Sequence, residues 1–317
     1  MSAAHNPQKA LVYCADLNVL PFALFSAQNA ALHAPDRNYD ILICSLDPLD
    51  IPKAFLTLGI RNHVLDLRDQ IASLNLAEKW LPETAFLRMF LSQELGDTYD
   101  RILYLDCDTN VVNEGIFRLF SLDFAPHPVA AVRDVAQWYR LSRRVMDFKA
   151  RGISGQTCFN SGMQLVDTAR YREMGCLEKM LAVHKDPRPT EQNDQSLFNL
   201  GLMGHIAELH PNWNWQWTHK EPYLSALASP NIVHYVGWIK PWSDQVFTRT
   251  NYSYELYNRY RRFIARHFPD RLADFSALDK PRRNWLRSVG HMSVQVGPAL
   301  SLYRNLRRFK SELDVLR

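Results

Sequence analysis

The stretch Arg101-Ile102-Leu103-Tyr104-Leu105-Asp106-Cys107-Asp108-Thr109-Asn110-Val111-Val112 passes from an unbroken apolar run straight into two carboxylates. An apolar run without polar alternation reads as a strand buried on both faces, as in a parallel sheet covered by helices. In extended chain, Asp106 and Asp108 lie at i and i+2 and point the same way, with Cys107 opposite. Two carboxylates held together repel unless one is protonated or a cation lies between them. Hard oxygen ligands at this spacing suit Mg²⁺ or Mn²⁺ bound together with a substrate's phosphates. The same residues also make good turns, so the pair alone leaves a plain surface turn open.

Outward from this strand, the first half of the chain alternates between two periods. Residues 10–14, 39–45 and 62–67 read as further strands, and residues 21–32 and 82–95 as helices. Glu83 sits favourably in the first turn of the second helix. Strands alternating with helices predict an α/β fold with a mostly parallel sheet. Ligands of such sheets bind beyond the carboxyl ends of the strands. Asp16 and Asn18 follow the first strand there, and Asp106 and Asp108 the later one.

Composition narrows the class. In 317 residues, 47% are hydrophobic and 22% charged, with a formal net charge of +4, as expected of a soluble globular chain. No apolar run is long enough for a transmembrane helix, and the first residues lack the pattern of a secretory signal. The five cysteines are scattered with no CxxC pair, so they read as reduced core residues rather than zinc ligands. A cytoplasmic protein is therefore expected.

Downstream, His234 stands in "NIVHYVGWIKPW" (231–242). As a ligand it would complete an oxygen–nitrogen set favouring Mn²⁺ over Mg²⁺. A single buried histidine bonded to backbone is the competing reading. Gly237 could admit close backbone approach or make a turn, and Lys240 could neutralise a diphosphate or remain solvated.

Together with "VYCADLNVL" (12–20), "CFNSGMQLVD" (158–167) and "EQNDQSLFN" (191–199), these segments resemble family 8 glycosyltransferases in order and approximate spacing, over roughly residues 10 to 245. The resemblance implies a GT-A type nucleotide-sugar-binding fold, with a mostly parallel mixed central sheet flanked by helices. It implies a retaining hexosyltransferase that uses a UDP-sugar and Mn²⁺, as in the family's lipopolysaccharide galactosyl- and glucosyltransferases. Carried over residue by residue, Asp106, Asp108 and His234 would hold the metal. Asp16 and Asn18 would contact uridine, and Gly237 and Lys240 the diphosphate. Arg88, Asp134 and Asn160 would approach the donor sugar, with Arg88 also near the diphosphate. Asp194 and Gln195 would lie nearest the reactive carbon. Val19 replaces an aromatic found in several relatives, and Ser196 a second aspartate.

With a glutamine rather than a carboxylate at the reactive carbon, same-face attack is favoured over double displacement. A nucleotide-sugar-binding or scaffold protein with little turnover is the alternative, against which the full metal set and Gln195 argue. A nucleotidyltransferase would want a glycine-rich basic loop after the first strand, which "ADLNVLPFA" (15–23) does not supply.

The C-terminal part differs in character. Leu302, Leu306, Phe309, Leu313 and Leu316 recur at helical spacing, while Arg304, Arg307, Arg308 and Lys310 fall largely elsewhere. This predicts a catalytic domain over residues 1–250 and a basic helical extension over 251–317. The extension would bind an anionic membrane surface at the inner face of the cell membrane, or pack on the domain or a second subunit. No recognised DNA or RNA module accompanies the arginines, so nucleic acid is not expected.

Overall fold

The computed structural model describes residues 8–74, 83–138, 140–143, 145–188, 190, 192–217, 228–243, 253–277 and 300–317. The expected helix start at Pro82, the domain boundary near residue 250 and the basic residues Lys280, Arg282, Arg283 and Arg287 lie outside the described residues.

The main sheet has eight strands. They are β1 (Lys9–Cys14), β2 (Asp40–Ser45), β3 (Ile60–Val64), β4 (Arg101–Leu105), β6 (Val129–Arg133), β7 (Phe159–Asp167), β8 (Ile206–Leu209) and β11 (Val315–Leu316), in the order β11-β8-β6-β7-β4-β1-β2-β3. β1 to β4 pair in parallel, as do β6 and β8, whereas β7 runs antiparallel between β4 and β6. A smaller sheet joins β5 (Thr109–Val111), β10 (Ile232–His234) and β9 (Trp215–Gln216).

Strand periodicity explains the two cores. Leu11 and Tyr13 of β1 face one apolar cluster, and Ala10, Val12 and Cys14 face the other. β4 divides the same way, with Leu103 and Leu105 on one side and Ile102 and Tyr104 on the other. The helix Leu20–His33 covers the first face, entered through Pro21, whose missing N–H costs nothing in a first helical turn. Ser26 and Asn29 bind that helix to Thr109 and Asn110 of β5. The expected helix over 82–95 is instead a 3₁₀ helix, Glu83–Met89, followed by a short α-helix, Leu91–Leu95. The third strand lies slightly earlier than expected, at Ile60–Val64.

The C-terminal expectation needs correction. Residues 300–306 are helical, but the chain then turns and ends as β11, antiparallel to β8. Leu302 and Phe309 are buried against the protein itself, and Leu302 belongs to the same core as β1 and β4. The spacing of four and three holds through Leu306. Beyond it, Phe309 reaches the core by a turn rather than by helical phase, with its ring edge-on to His210 at 5.1 Å. The helix Tyr254–His267 joins the same core through Tyr257, Tyr260 and Ile264.

Truncating a buried phenylalanine generally costs about 3 kcal/mol or more. Phe309→Ala should therefore lower stability to denaturant by about 3 kcal/mol. An unchanged midpoint would mean that the tail does not pack on the domain in solution.

Candidate active site

β4 delivers Asp106 at its carboxyl end, where the Asp106 N–H donates to Gly162 O of β7 (2.8 Å). A turn follows, closed by Thr109 N–H and Oγ1 donating to Asp106 O at 3.1 and 2.7 Å. The two aspartates thus converge through a turn and not through extended chain. The turn is therefore present, and the two carboxylates converge all the same. Antiparallel pairing of β5 with β10 sets His234 opposite Thr109. Asp106, Asp108 and His234 offer ligand atoms that all lie within 4.8 Å of one another. His234 Nε2 is 3.1 Å from Asp108 Oδ1 and 3.7 Å from Asp106 Oδ2.

The proton on His234 is located by a chain of hydrogen bonds with fixed donors. The backbone N–H of Gly162 donates to Asn160 Oδ1 (3.1 Å), which fixes that amide's orientation. Asn214 Nδ2 also donates to Asn160 Oδ1 (2.8 Å), leaving Asn214 Oδ1 as an acceptor. His234 Nδ1 lies 3.1 Å from both amide oxygens and must carry the proton. With Nδ1 protonated, Nε2 is the nitrogen that faces the two carboxylates. Facing lone pairs need a second proton or a cation between them, and two oxygens with one imidazole nitrogen form an ordinary divalent-metal donor set. Gly162 shapes the cradle, since a Cβ there would collide with both His234 Cε1 and Asp106 Oδ2.

Two basic groups border the cluster. Lys240 Nζ donates to Asp108 Oδ2 and to Tyr235 O. Burial works to raise the Asp108 carboxyl, but Lys240, together with His234 when Nε2 carries a proton, outweighs it and holds the group well below the usual carboxylate range. Arg88 leaves the 3₁₀ helix to reach Asp106 Oδ1 (2.9 Å) and Asp194 Oδ2 (3.3 Å), and its guanidinium lies over the Tyr104 ring. The Tyr104 hydroxyl donates to Asp106 Oδ1 at 2.5 Å. Burial opposes the Arg88 charge, yet the two aspartates keep its proton bound more firmly than usual.

Gln195 is the hub of the next layer. Its Oε1 accepts from Asn160 Nδ2 and Ser161 N, each at 3.1 Å, and its Nε2 donates to Asp134 Oδ2 (3.1 Å) and Gln192 Oε1 (2.9 Å). Asp194 is in the first turn of the helix Asn193–Gly201 rather than at its cap. It accepts from Ser161 Oγ at 3.0 Å. Burial raises the carboxyls of both Asp134 and Asp194 above their ordinary values. Asp134 does not pair with Arg133; it caps a short turn by accepting from Ala136 N at 2.8 Å. Ser196 donates to Asp147 Oδ2 at 2.6 Å, so a carboxylate reaches this position from another segment.

Asp16 and Asn18 line a separate pocket of about 330 Å³ beyond β1 and β2, with Asp47 and Arg68 on its far side. Asp16 Oδ1 accepts from the N–H groups of Asn18 and Val19, holding the loop at the head of the helix Leu20–His33. Thr84 also borders a second space of about 220 Å³, lined by Arg88, Asp106, Asp108 and Lys240. Gly237 has a φ of 95°, which disfavours any side chain there. Trp242 anchors that loop by stacking on Phe22 at 4.0 Å. Sequence reasoning missed Gly162, Ser161, Tyr104 and Asn214. Of these, only the "FNSG" context of Gly162 and Ser161 carried any signal.

A family model described as glycosyl transferase family 8 matches residues 10–246. The chain belongs to that family. Among curated relatives, general stress protein A of Bacillus subtilis is 29% identical over 206 residues, covering 60% of this chain and 69% of that protein. The lipopolysaccharide 1,2-glucosyltransferase of Escherichia coli is 29% identical, and the lipopolysaccharide 1,3-galactosyltransferase of Salmonella typhimurium 26% identical; each match covers 55% of this chain. These matches span about half the length of the two lipopolysaccharide enzymes, 53% each. The solved structure of the galactosyltransferase LgtC in complex with donor and acceptor sugar analogues superposes with a TM-score of 0.61. It has 18% identity, over 88% of this chain and 99% of LgtC. The fold is thus the GT-A type, and the family 8 chain is a glycosyltransferase. No helix among the described residues is long and apolar enough to cross a membrane.

Gly162→Ala should lower divalent-metal affinity at least about tenfold, as displacing a ligand's support generally does, with the circular dichroism spectrum retained. Calorimetric titration of the metal alone would check this. Undiminished affinity would mean that His234 and Asp106 move aside without cost.

Proposed function

We propose that this family 8 enzyme transfers a hexose, galactose or glucose, from a UDP-sugar to a saccharide acceptor, with retention of configuration. The acceptor would be lipopolysaccharide or another surface glycolipid. The observation that carries the reading is His234 Nε2 facing Asp106 and Asp108, beside Arg88 and Lys240, with the two aspartates lining the second space. The names of the two lipopolysaccharide hexosyltransferases among the relatives support the substrate class.

Asp106, Asp108 and His234 would hold Mn²⁺, preferred to Mg²⁺ because one ligand is an imidazole nitrogen. The ion, when bound, would stabilise negative charge developing on the leaving diphosphate. The protein's own groups do the rest. The pocket at Asp16 and Asn18 would take the uridine, and Gly237 and Lys240 the diphosphate. Arg88 brings fixed positive charge to the same region and needs no reorganisation, because Asp106, Asp194 and Tyr104 already hold it. Asp134, Asn160 and Asp194 would bind the sugar hydroxyls.

Gln195 offers an amide oxygen to positive charge at the anomeric carbon. Its four hydrogen bonds keep that dipole from swinging away. An amide is a poor nucleophile, so the acceptor would attack on the face from which the diphosphate leaves, giving its proton to the departing phosphate oxygen.

A peripheral membrane contact at the inner face of the cell membrane is a second proposal. It rests on Leu300 and Tyr303, 57% and 61% exposed, next to exposed Arg304 and Arg307. Each arginine near an anionic surface contributes about 1 kcal/mol. Arg304→Glu with Arg307→Glu should abolish co-sedimentation with anionic vesicles; equal sedimentation of variant and parent would exclude this surface.

Asp106→Ala or Asp108→Ala should cut Mn²⁺-dependent transfer by at least about a hundredfold, measured as UDP release in the presence of acceptor. Full activity in either variant, or in chelator, would sink the metal role. Gln195→Ala should lower turnover far more than donor affinity. Equal losses would make it a donor-positioning group only.

A further inference from the structure

The C-terminal segment is wired to the loop that carries Asp134. Glu208 on β8 is buried between two arginines, its side chain 9% exposed. Arg133 donates to it through Nε (2.9 Å) and Nη2 (2.7 Å), and Arg308 of the tail through Nη1 (2.9 Å) and Nη2 (2.7 Å). Such paired forks fix direction as well as distance. Arg133 immediately precedes Asp134, and its Nη1 also donates to Gln137 Oε1 (3.2 Å). Its carbonyl accepts from Trp138 Nε1 (2.7 Å) and Gln216 Nε2 (2.8 Å). The loop 134–138 is therefore held from both ends by Arg133.

The tail reaches the same loop a second way. Asn305 Nδ2 donates to the Trp138 carbonyl. Farther along, Glu312 O accepts from Trp213 Nε1 (2.6 Å), the Glu312 carboxylate pairs with Arg118 (2.6 Å), and β11 pairs with β8 at Glu208 and Leu209. The tail is thus seated independently of its contacts with the loop. Arg308 and Asn305 can act as fixed points.

We infer that residues 300–317 form part of the donor-sugar site, with Arg308, Glu208 and Asn305 as positioning residues that set the loop bearing Asp134. Asp134 is tied in turn to Gln195, so displacement of the loop reaches the hub of the site. This rests on the reading of Asp134 as a sugar contact. The uridine pocket lies beyond β1 and β2, outside this network, whereas the Asp106–Asp108–His234 cluster lies one step past Gln195, through Asn160 to His234. Loosening the tail should therefore weaken binding of the hexose part of the donor more than that of UDP. A merely structural tail would lower thermal stability without changing the ratio of the two affinities.

The test compares calorimetric affinities for UDP and for UDP-galactose or UDP-glucose, whichever the parent binds, in Mn²⁺. The variants are Arg308→Ala, Asn305→Ala, Glu208→Gln and the conservative Arg308→Lys. Arg308→Ala and Glu208→Gln should weaken UDP-hexose relative to UDP by about two- to thirtyfold, the span of couplings carried through such networks. Asn305→Ala should act in the same direction, and Arg308→Lys should recover part of the loss. Arg308 is partly exposed, so its variants keep the test valid if Glu208→Gln does not fold. An unchanged ratio in Arg308→Ala and Asn305→Ala overturns the inference while leaving the donor reading intact. A parent protein that binds neither UDP nor a UDP-hexose overturns the donor reading, and this inference falls with it.

Discussion

Negative charge gathered at the end of β4 is the constraint on which the site depends. Asp106, Asp108 and Asp194 are bonded to Arg88 and Lys240, three carboxylates to two basic groups. Two like charges about 4 Å apart at an effective dielectric near 20 repel by about 4 kcal/mol. Buried arginine between two of the aspartates removes much of that cost, and Lys240 meets the third. One negative charge is left over, and His234 Nε2 faces Asp106 and Asp108 beside it.

Direction in this site comes from the backbone. The N–H groups of Ser161 and Gly162 orient Gln195 and Asn160, and these orient Asp134, Asn214 and His234 in turn. A side-chain network whose polarity starts from main-chain donors cannot reverse without unmaking β7. That is the physical content of preorganisation here: charges and dipoles stand in place before the reaction, in a partly buried setting where they act strongly. Glycine at 162 permits the close approach that joins the network to the acidic cluster.

The far edge of the sheet follows the same logic at lower charge density. β8 would expose an unpaired edge, and β11 covers it with antiparallel hydrogen bonds. Glu208 on that edge strand is buried, which would be unfavourable alone. Burial pushes its carboxyl up, but Arg133 and Arg308 outweigh that and leave it below the ordinary glutamate value. An arginine that composition assigns to a solvated basic face is thereby part of an interior ion triad.

The α/β class, the β4 strand with its two aspartates, and the family were legible in the sequence. They depend on local periodicity and on short motifs whose order survives divergence. His234, Arg88, Asp134, Asn160, Asp194 and Gln195 could be singled out one by one, because each sits in such a motif. Nothing local joins them. β7 running antiparallel beside β4, and β10 pairing with β5, bring distant segments to one end of the sheet. Asn214, without a motif, gains its place only through that pairing. The tail helix ends earlier than its apolar spacing implies for a related reason. Apolar spacing of four and three describes a helix face only while the chain stays helical, and no local signal after Leu306 announces the turn. Long-range pairing with β8 offers the last residues hydrogen bonds and burial that an isolated helical end lacks, so tertiary structure decided their conformation.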